Sequence, residues 1–367
     1  MAVSGYKGLL KSLGFQSFLW TQFLGAFNDN VFKIVLSMIA VNLATDGSGG
    51  GYVSMVGAVF ILPFFIFSGY AGYVSDVFNK RTVLIVTKAF EIVAVSVGFL
   101  AFWSGRIELM LATLFLMAVH STFFSPAKYG IVPEMLPDSE LSRANGLLEM
   151  STFFAIIIGT SAGTIMYSAL KGSLPVVGVF LIVVATLGTL TSFGIPRVPS
   201  SGAEKKFSFS PWAEIGQGFR SLLRTKLLMF TVGGITYFWF MGSLLQMDIL
   251  LLGKEVMGLT DFWVGILITF LAVGIGVGSI VAGRLSGDKV EPGLVPLGSI
   301  GMGLFSILLA LSPESYPRTA AAMIMVGFSG GLFIVPLNAL LQQKSAAEEK
   351  GRVIATNNFI NTGGILL

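Results

Sequence analysis

The chain has 367 residues, is 54% hydrophobic and only 11% charged, and has a mean hydropathy of +0.83. Such values belong to polytopic membrane proteins and exclude an ordinary soluble domain. The absence of cysteine excludes disulfides and thiolate metal sites, His120 as the lone histidine assembles no metal site, and the net charge of +4, carried by loops between apolar spans, is not a nucleic-acid signal.

A spanning helix needs roughly 20 mostly apolar residues. In chain order that length predicts an all-α fold with spans near 16–44, 51–75, 82–104, 107–126, 145–170, 174–195, 227–252, 261–285, 294–311 and 318–341. An eleventh begins near 352; its remaining length is too short to cross, so the native protein is expected to continue. The opening MAVSGYKGLLKSLGFQSF has no cleavable signal-peptide pattern. Basic residues set the orientation. Lys7, Lys11, Lys80, Arg81, Lys128, Arg143, Arg197, Lys205, Lys206, Arg220, Arg224, Lys226, Arg284, Lys289, Lys344, Lys350 and Arg352 fall on one side, and only Arg106, Lys171, Lys254 and Arg318 on the other. Lys33 and Lys88 lie inside spans. This bias places the N-terminus and the 196–226 connection in the cytoplasm.

Two pairs of loops repeat. GYVSDVFNKR after the second span matches GRLSGDKVE after the eighth, and the segment from Ser125 after the fourth matches that from Val335 after the tenth. Asp76 and Asp288 are 212 apart, Pro126 and Pro336 210, Arg143 and Arg352 209. A six-span unit repeated in one orientation is the arrangement of major-facilitator transporters. The expected division is a six-helix bundle over 1–195, a cytoplasmic linker over 196–226 and an incomplete second bundle over 227–367. In the linker, Trp212, Ile215, Phe219, Leu222 and Leu223 share one helical face, with Arg220 and Arg224 off it and Pro211 at the helix start. That pattern reads as an interfacial helix on the cytoplasmic leaflet, or else as a solvated tether.

GYVSDVFNKR resembles the major-facilitator loop between the second and third spans, through Gly72, Asp76, Lys80 and Arg81; it departs at Val77, where a basic residue is common, and at Asn79, where glycine is common. The resemblance implies a conformational latch in which a carboxylate at a helix end is held by cations or by a helix N-terminus across the halves. Arg143 joins this gating set. The alternative is that these charges only fix topology.

FFSPAKYGIVPEMLPDSELSRANGLLEMSTFFAIIIGTSAGT, with FLGAFNDN and VPLNALLQ, closely resembles the bacterial lysophospholipid transporter family along the whole chain. The resemblance implies a multi-pass protein of the bacterial inner membrane that moves lysophospholipids, chiefly 2-acyl-glycerophosphoethanolamine, to the cytoplasmic leaflet for re-acylation. SFLWTQFLGAFNDNVFK looks like the form fused to acyltransferase and acyl–acyl-carrier-protein synthetase domains. The implied partners are therefore the lysolipid, membrane lipids, and those enzymes, fused or separate. No cofactor is implied.

The first span carries Gln22, Ala26, Asp29 and Lys33 on one face. Charges at mid-bilayer face a cavity or a partner. Asp29 and Lys33 either pair with each other, four apart in the acid-first order, or Asp29 faces a central cavity and meets an ethanolamine ammonium or another cation. Lys128, just past a fourth span ended by Pro126, suits a phosphate. Glu149 lies near Arg143 and Asn145; a loop salt bridge and a helix-cap cluster compete with a ligand role for these residues. On the seventh span Thr236, Trp239, Ser243 and Gln246 share a face toward the same cavity, and Trp239 and Gln246 join the substrate-binding set. Asn338, Asn357, Asn358 and Asn361 either join helices or bind ligand. His120 reads as a satisfied helix-end residue.

Catalysis has no support: there is no P-loop, and Ser125 follows His120 where the H-x-x-x-x-D acyltransferase signature has aspartate. The sequence therefore points to a major-facilitator lysolipid transporter working by alternating access. The competing readings are a proton-coupled exporter of amphipathic solutes using Asp29, and a membrane anchor for fused lipid-modifying enzymes.

Overall fold

The computed structural model describes residues 5–45, 50–170, 172–199, 210–311 and 314–366; Lys171 and linker residues 200–209, with Lys205 and Lys206, lie outside the described residues. The fold is all-helical. In chain order come α1 (Gly5–Lys11), α2 (Leu13–Thr45), α3 (Gly50–Val77), α4 (Lys80–Ser104), α5 (Ile107–Met135), α6 (Leu141–Ala169) and α7 (Pro175–Ser192). Then follow α8 (Pro211–Leu223), α9 (Lys226–Leu251), α10 (Asp261–Leu285), α11 (Leu294–Ala310), α12 (Tyr316–Lys344) and α13 (Lys350–Leu366). Among the described residues nine helices are long and apolar enough to cross a membrane, and α11 is a shorter apolar one. Helices cover all ten expected spans.

Local chemistry sets the ends. The Asn79 side chain accepts from the Arg81 and Thr82 amides to start α4, and Gly105, at φ 66°, ends it in the left-handed conformation that a side chain disfavours. Pro126 does not end a helix as expected. The fourth span runs on as α5 to Met135 with Pro126 and Pro133 inside it, and α12 passes through Pro336. Neighbouring helices can take up the carbonyls that proline frees at membrane depth, so such breaks are tolerated. Pro126 and Pro336 are repeat counterparts, and both stand mid-helix.

The helices before the linker meet those after it mainly through two pairs, α3 with α13 and α6 with α10. Glycine permits both approaches. A Cβ at Gly72 would stand 2.9 Å from Arg352 Cα, and one at Gly146 would stand 2.6 Å from the Ser279 carbonyl oxygen. The short α1 has no apolar span to announce it. Its Tyr6 hydroxyl donates to the Ile280 carbonyl at 2.7 Å, and burial pushes that phenol above its ordinary range, keeping it a donor. The expected apolar face of α8 divides: Ile215 and Leu222 are buried, whereas Trp212, Phe219 and Leu223 are exposed. Its buried side packs against α3 and α13, with Glu214 accepting from Arg352 Nε at 3.0 Å.

A closed ionic knot ties α2, α4, α5 and α7 together. Lys88 and Glu91, both 0% exposed, form an ion pair within α4. Asn28 Nδ2 donates to Glu91 at 2.9 Å and to the Leu181 carbonyl at 3.2 Å, and the Thr189 hydroxyl donates to the Lys88 carbonyl at 2.9 Å. His120 Nε2 lies 3.5 Å from the same carboxylate. His120 is thus a mid-helix residue of α5 with no hydrogen bond to either ring nitrogen, not the satisfied helix end expected. Removing one partner of a buried pair strands the other charge, at about 3–5 kcal/mol. Glu91→Ala should therefore lower the melting temperature of the detergent-solubilised protein sharply, while the apolar double replacement Lys88→Met with Glu91→Leu recovers most of the loss. Equal losses in the two proteins would contradict the pairing.

Candidate functional site

A cavity of about 360 Å³ lies between helices from both sides of the linker, a volume within the range of small-molecule sites. Its walls differ in chemistry. Phe60 and Phe64 of α3, with Ile235 and Trp239 of α9, supply an apolar and aromatic side. Lys128 and Tyr129 of α5, Thr152 of α6, Asn338 of α12 and Asn357, Asn358 and Asn361 of α13 supply a polar one. Because α5 continues past Pro126, Lys128 is a helix residue on the cavity wall and not a loop residue beyond a span.

Lys128 Nζ donates to Gln22 Oε1 at 3.4 Å and stands 4.6 Å from the centre of the Tyr129 ring. Gln22 is held in turn by Ser151 at 2.6 Å and Thr152 at 3.1 Å. Glu149 is buried just behind the lining. Its Oε1 accepts from the Tyr129 hydroxyl at 3.1 Å and from Asn338 Nδ2 at 3.0 Å, while its Oε2 is buried without a partner. No ion pair within 4.0 Å joins Lys128 to Glu149. One cation and one carboxylate are thus held apart around a single tyrosine. Of the two jobs weighed from sequence, the asparagines do join helices: Asn358 donates to Ser125 at 2.8 Å and Asn361 accepts from Thr236 at 2.8 Å; all three α13 asparagines also line the cavity.

The other expected site residues are placed differently. Asp29 and Lys33 are not on the lining and are not an ion pair within 4.0 Å. Asp29 accepts from the Ser121 hydroxyl at 2.6 Å, and its second oxygen is buried without a partner. Lys33 Nζ lies 5.1 Å from the centre of the ring of Phe60, which itself lines the cavity. Trp239 lines the cavity, but Gln246, two turns further along α9, is exposed and off it. Tyr129, Thr152 and Ser121 were not singled out in the sequence; their only signal was adjacency to Lys128, Glu149 and His120.

At the end where basic loops cluster, Asp76 accepts from the Gly351 amide at 2.5 Å and the Arg352 amide at 3.1 Å. The carboxylate therefore seats the N-terminus of α13, where unpaired amides and the helix dipole favour an anion. The Arg352 side chain turns instead to Glu214 of α8. Lys80 and Arg81 stay among the earlier helices: Lys80 pairs with Glu134, and Arg81 donates to the Ile195 carbonyl at 2.6 Å and the Phe193 carbonyl at 2.8 Å, closing the end of α7. Arg143 crosses the linker division, pairing with Glu140 at 3.0 Å and Asp288 at 2.9 Å. Asp288, the repeat counterpart of Asp76, is 82% exposed against 13% for Arg143, so solvent screens the pair from the acid's side.

The buried carboxylate is accordingly the stronger tie. With spin labels at Phe78 and Glu348 of a cysteine-introduced protein, Asp76→Ala should shift the distance distribution toward longer separations, and Arg143→Ala should shift it less. A distribution unchanged by Asp76→Ala would contradict the tie.

The Major Facilitator Superfamily pattern matches residues 18–367. The chain is 29% identical over 367 residues to the lysophospholipid transporter LplT of Yersinia enterocolitica, covering 98% of this chain and 86% of that one. It is 29% identical over 368 residues to LplT of an Enterobacter species, covering 98% and 87%. Among solved structures, the human organic anion transporter MFSD10 superposes with a TM-score of 0.75 at 15% identity, over 95% of this chain and 91% of that one. The transporter FucP in its outward conformation superposes with a TM-score of 0.72 at 15% identity, over 95% and 89%. Those two likenesses concern the fold alone. Together with the helical architecture and the cavity between its two sets of helices, the pattern match identifies the chain as a membrane transporter, not an enzyme, that belongs to the Major Facilitator Superfamily.

Proposed function

We propose that this protein moves lysophospholipids, such as 2-acyl-glycerophosphoethanolamine, across the bacterial inner membrane toward the cytoplasmic leaflet. The observation that carries this reading is the unclosed pair of Lys128 and Glu149 beside an aromatic wall. Two opposite charges kept apart in a low-dielectric site fit a guest that brings both signs. The phosphate goes to Lys128, backed by Gln22 and Thr152, and the ammonium goes to the free oxygen of Glu149. The acyl chain lies against Phe60, Phe64 and Trp239. The relatives described as lysophospholipid transporters support the same substrate class.

The basic end faces the cytoplasm by the positive-inside rule. Asp76 on the first turn of α13, with Arg143 on Asp288, keeps that end shut while the site loads from the opposite side. Release of these ties lets the two sets of helices rock and turns the head group to the cytoplasm, the motion expected of parallel repeats. There an acyltransferase and acyl–acyl-carrier-protein synthetase, in the same chain or another, restore the second acyl chain.

Charge-assisted hydrogen bonds contribute about 1.5–3 kcal/mol. Lys128→Met and Glu149→Gln should each lower lysophosphatidylethanolamine uptake into proteoliposomes about tenfold or more, with the folded protein retained. Wild-type rates in both variants would remove the basis of the reading. Uptake that collapses without a pH gradient would transfer support to the proton-coupled exporter.

A further inference from the structure

A second cavity, of about 300 Å³, opens along the seam between α2 and α6 toward the end remote from the latches. Its cause is local. Along the inner part of the seam glycine brings the helices together: a Cβ at Gly159 would stand 2.7 Å from the Phe27 carbonyl oxygen, and one at Gly163 would stand 2.9 Å from that of Val31. One turn further out α6 presents the large, buried Tyr167 instead, whose hydroxyl accepts from Asn42 Nδ2. The helices part there, leaving a slot whose walls are Ile34, Met38 and Val41 and whose edges are Ser37, Asn42 and Ser168.

The slot runs beside a polar stripe. On a helix with 3.6 residues per turn, Gln22, Asp29, Lys33 and Ser37 fall within about 80° of one another, and Ser37 belongs to both the stripe and the slot. From Ser37 down to Gln22 the stripe is about 22 Å long at 1.5 Å per residue, and it ends on the side chain that receives the Lys128 ammonium. Lys33 and Asp29, which do not line the central cavity, are its middle rungs. An apolar slot with a polar edge, joined to polar steps that lead to a zwitterion-fitting site, matches an amphiphile with one chain and one head.

The geometry points to the α2–α6 slot as a loading site for the single acyl chain of the lysolipid, from which the head group descends along Ser37, Lys33 and Asp29 to Gln22 and Lys128. This rests on the lysolipid reading of the central cavity. The glycine-closed seam below Ile34 marks the inner end of the slot, so the chain loads in the outer half of the bilayer and reaches the Phe60, Phe64 and Trp239 wall only after the head has docked. The same arrangement gives the charges of α2 a use that neither mutual pairing nor cavity lining supplies.

Because the chain has no cysteine, the test can be made after folding. Val41→Cys, on the slot wall and off the polar stripe, is reconstituted in phosphatidylethanolamine vesicles and treated with a bulky maleimide; Met38→Trp is a second, genetic way to fill the slot. Both should lose lysophosphatidylethanolamine uptake while still binding glycerophosphoethanolamine, the tail-less head, as the untreated and wild-type proteins do. A lysophosphatidylethanolamine carrying a diazirine in its acyl chain should label the 34–42 and 167–168 segments of the wild type, and excess two-chain phosphatidylethanolamine should not compete. Undiminished uptake with the slot filled, or labelling that two-chain lipid abolishes, would overturn the slot and leave the transport reading intact. No lysolipid uptake by the wild type would overturn both.

Discussion

A charge in hydrocarbon must find either a partner or water, and this protein resolves that constraint in three distinct ways. Lys88 and Glu91 are closed on each other and locked by Asn28, so they bind helices together and nothing else. Asp76 is satisfied by backbone amides of another helix, a tie that is strong while the helices touch and lost when they separate. Lys128 on the cavity wall and Glu149 just behind it hydrogen-bond only neutral groups and form no direct ion pair. The first arrangement is structural; in the proposed mechanism the second depends on conformation and the third on a guest.

The repeat gives the conditional ties their symmetry and their inequality. Asp76 and Asp288 occupy matching positions, as do Arg352 and Arg143. One acid nevertheless takes the backbone of its partner helix, and the other, itself exposed, takes the side chain of a largely covered arginine. Since the short α1 in the matching place before α2 carries no acid, the difference traces to α8. Its Glu214 draws the Arg352 guanidinium away and leaves the first-turn amides of α13 to Asp76. Ser221 of α8 also donates to Glu349 at 2.7 Å, so the linker helix braces the same turn from behind.

Much of the architecture was legible because membrane solvent imposes a simple length rule: the ten spans, the amphipathic helix over 211–223 and the matched loops follow from apolar runs and spacing. Helix ends were less legible where proline stood inside them. Pro126 stops a helix in water but not in a packed bundle, and that error moved Lys128 from the cavity wall to a loop. The candidate site was readable as residue types, not as partnerships. Asp29 and Lys33 advertised themselves by sitting in the first span, yet the cavity wall is built from Lys128, Tyr129, Thr152 and the α13 asparagines. Glu91 was passed over although Lys88 lies three residues before it in the same span; only Asn28 and His120, on other helices, needed folding to come beside it. The outer slot was invisible for a similar reason: Tyr167 parts two helices only because Gly163 has brought them close one turn earlier.

The central claim is that the open pair recognises both charges of one head group. Its most direct measurement is competition for wild-type uptake by two lysolipids that differ in one charge, lysophosphatidylethanolamine and its N-acetylated form, in which the ammonium is neutral and the phosphate unchanged. The account requires the native lipid to compete far better than the acetylated one. Equal competition would show that Glu149 meets no ammonium, and the pairing of this cavity with a zwitterion would fall.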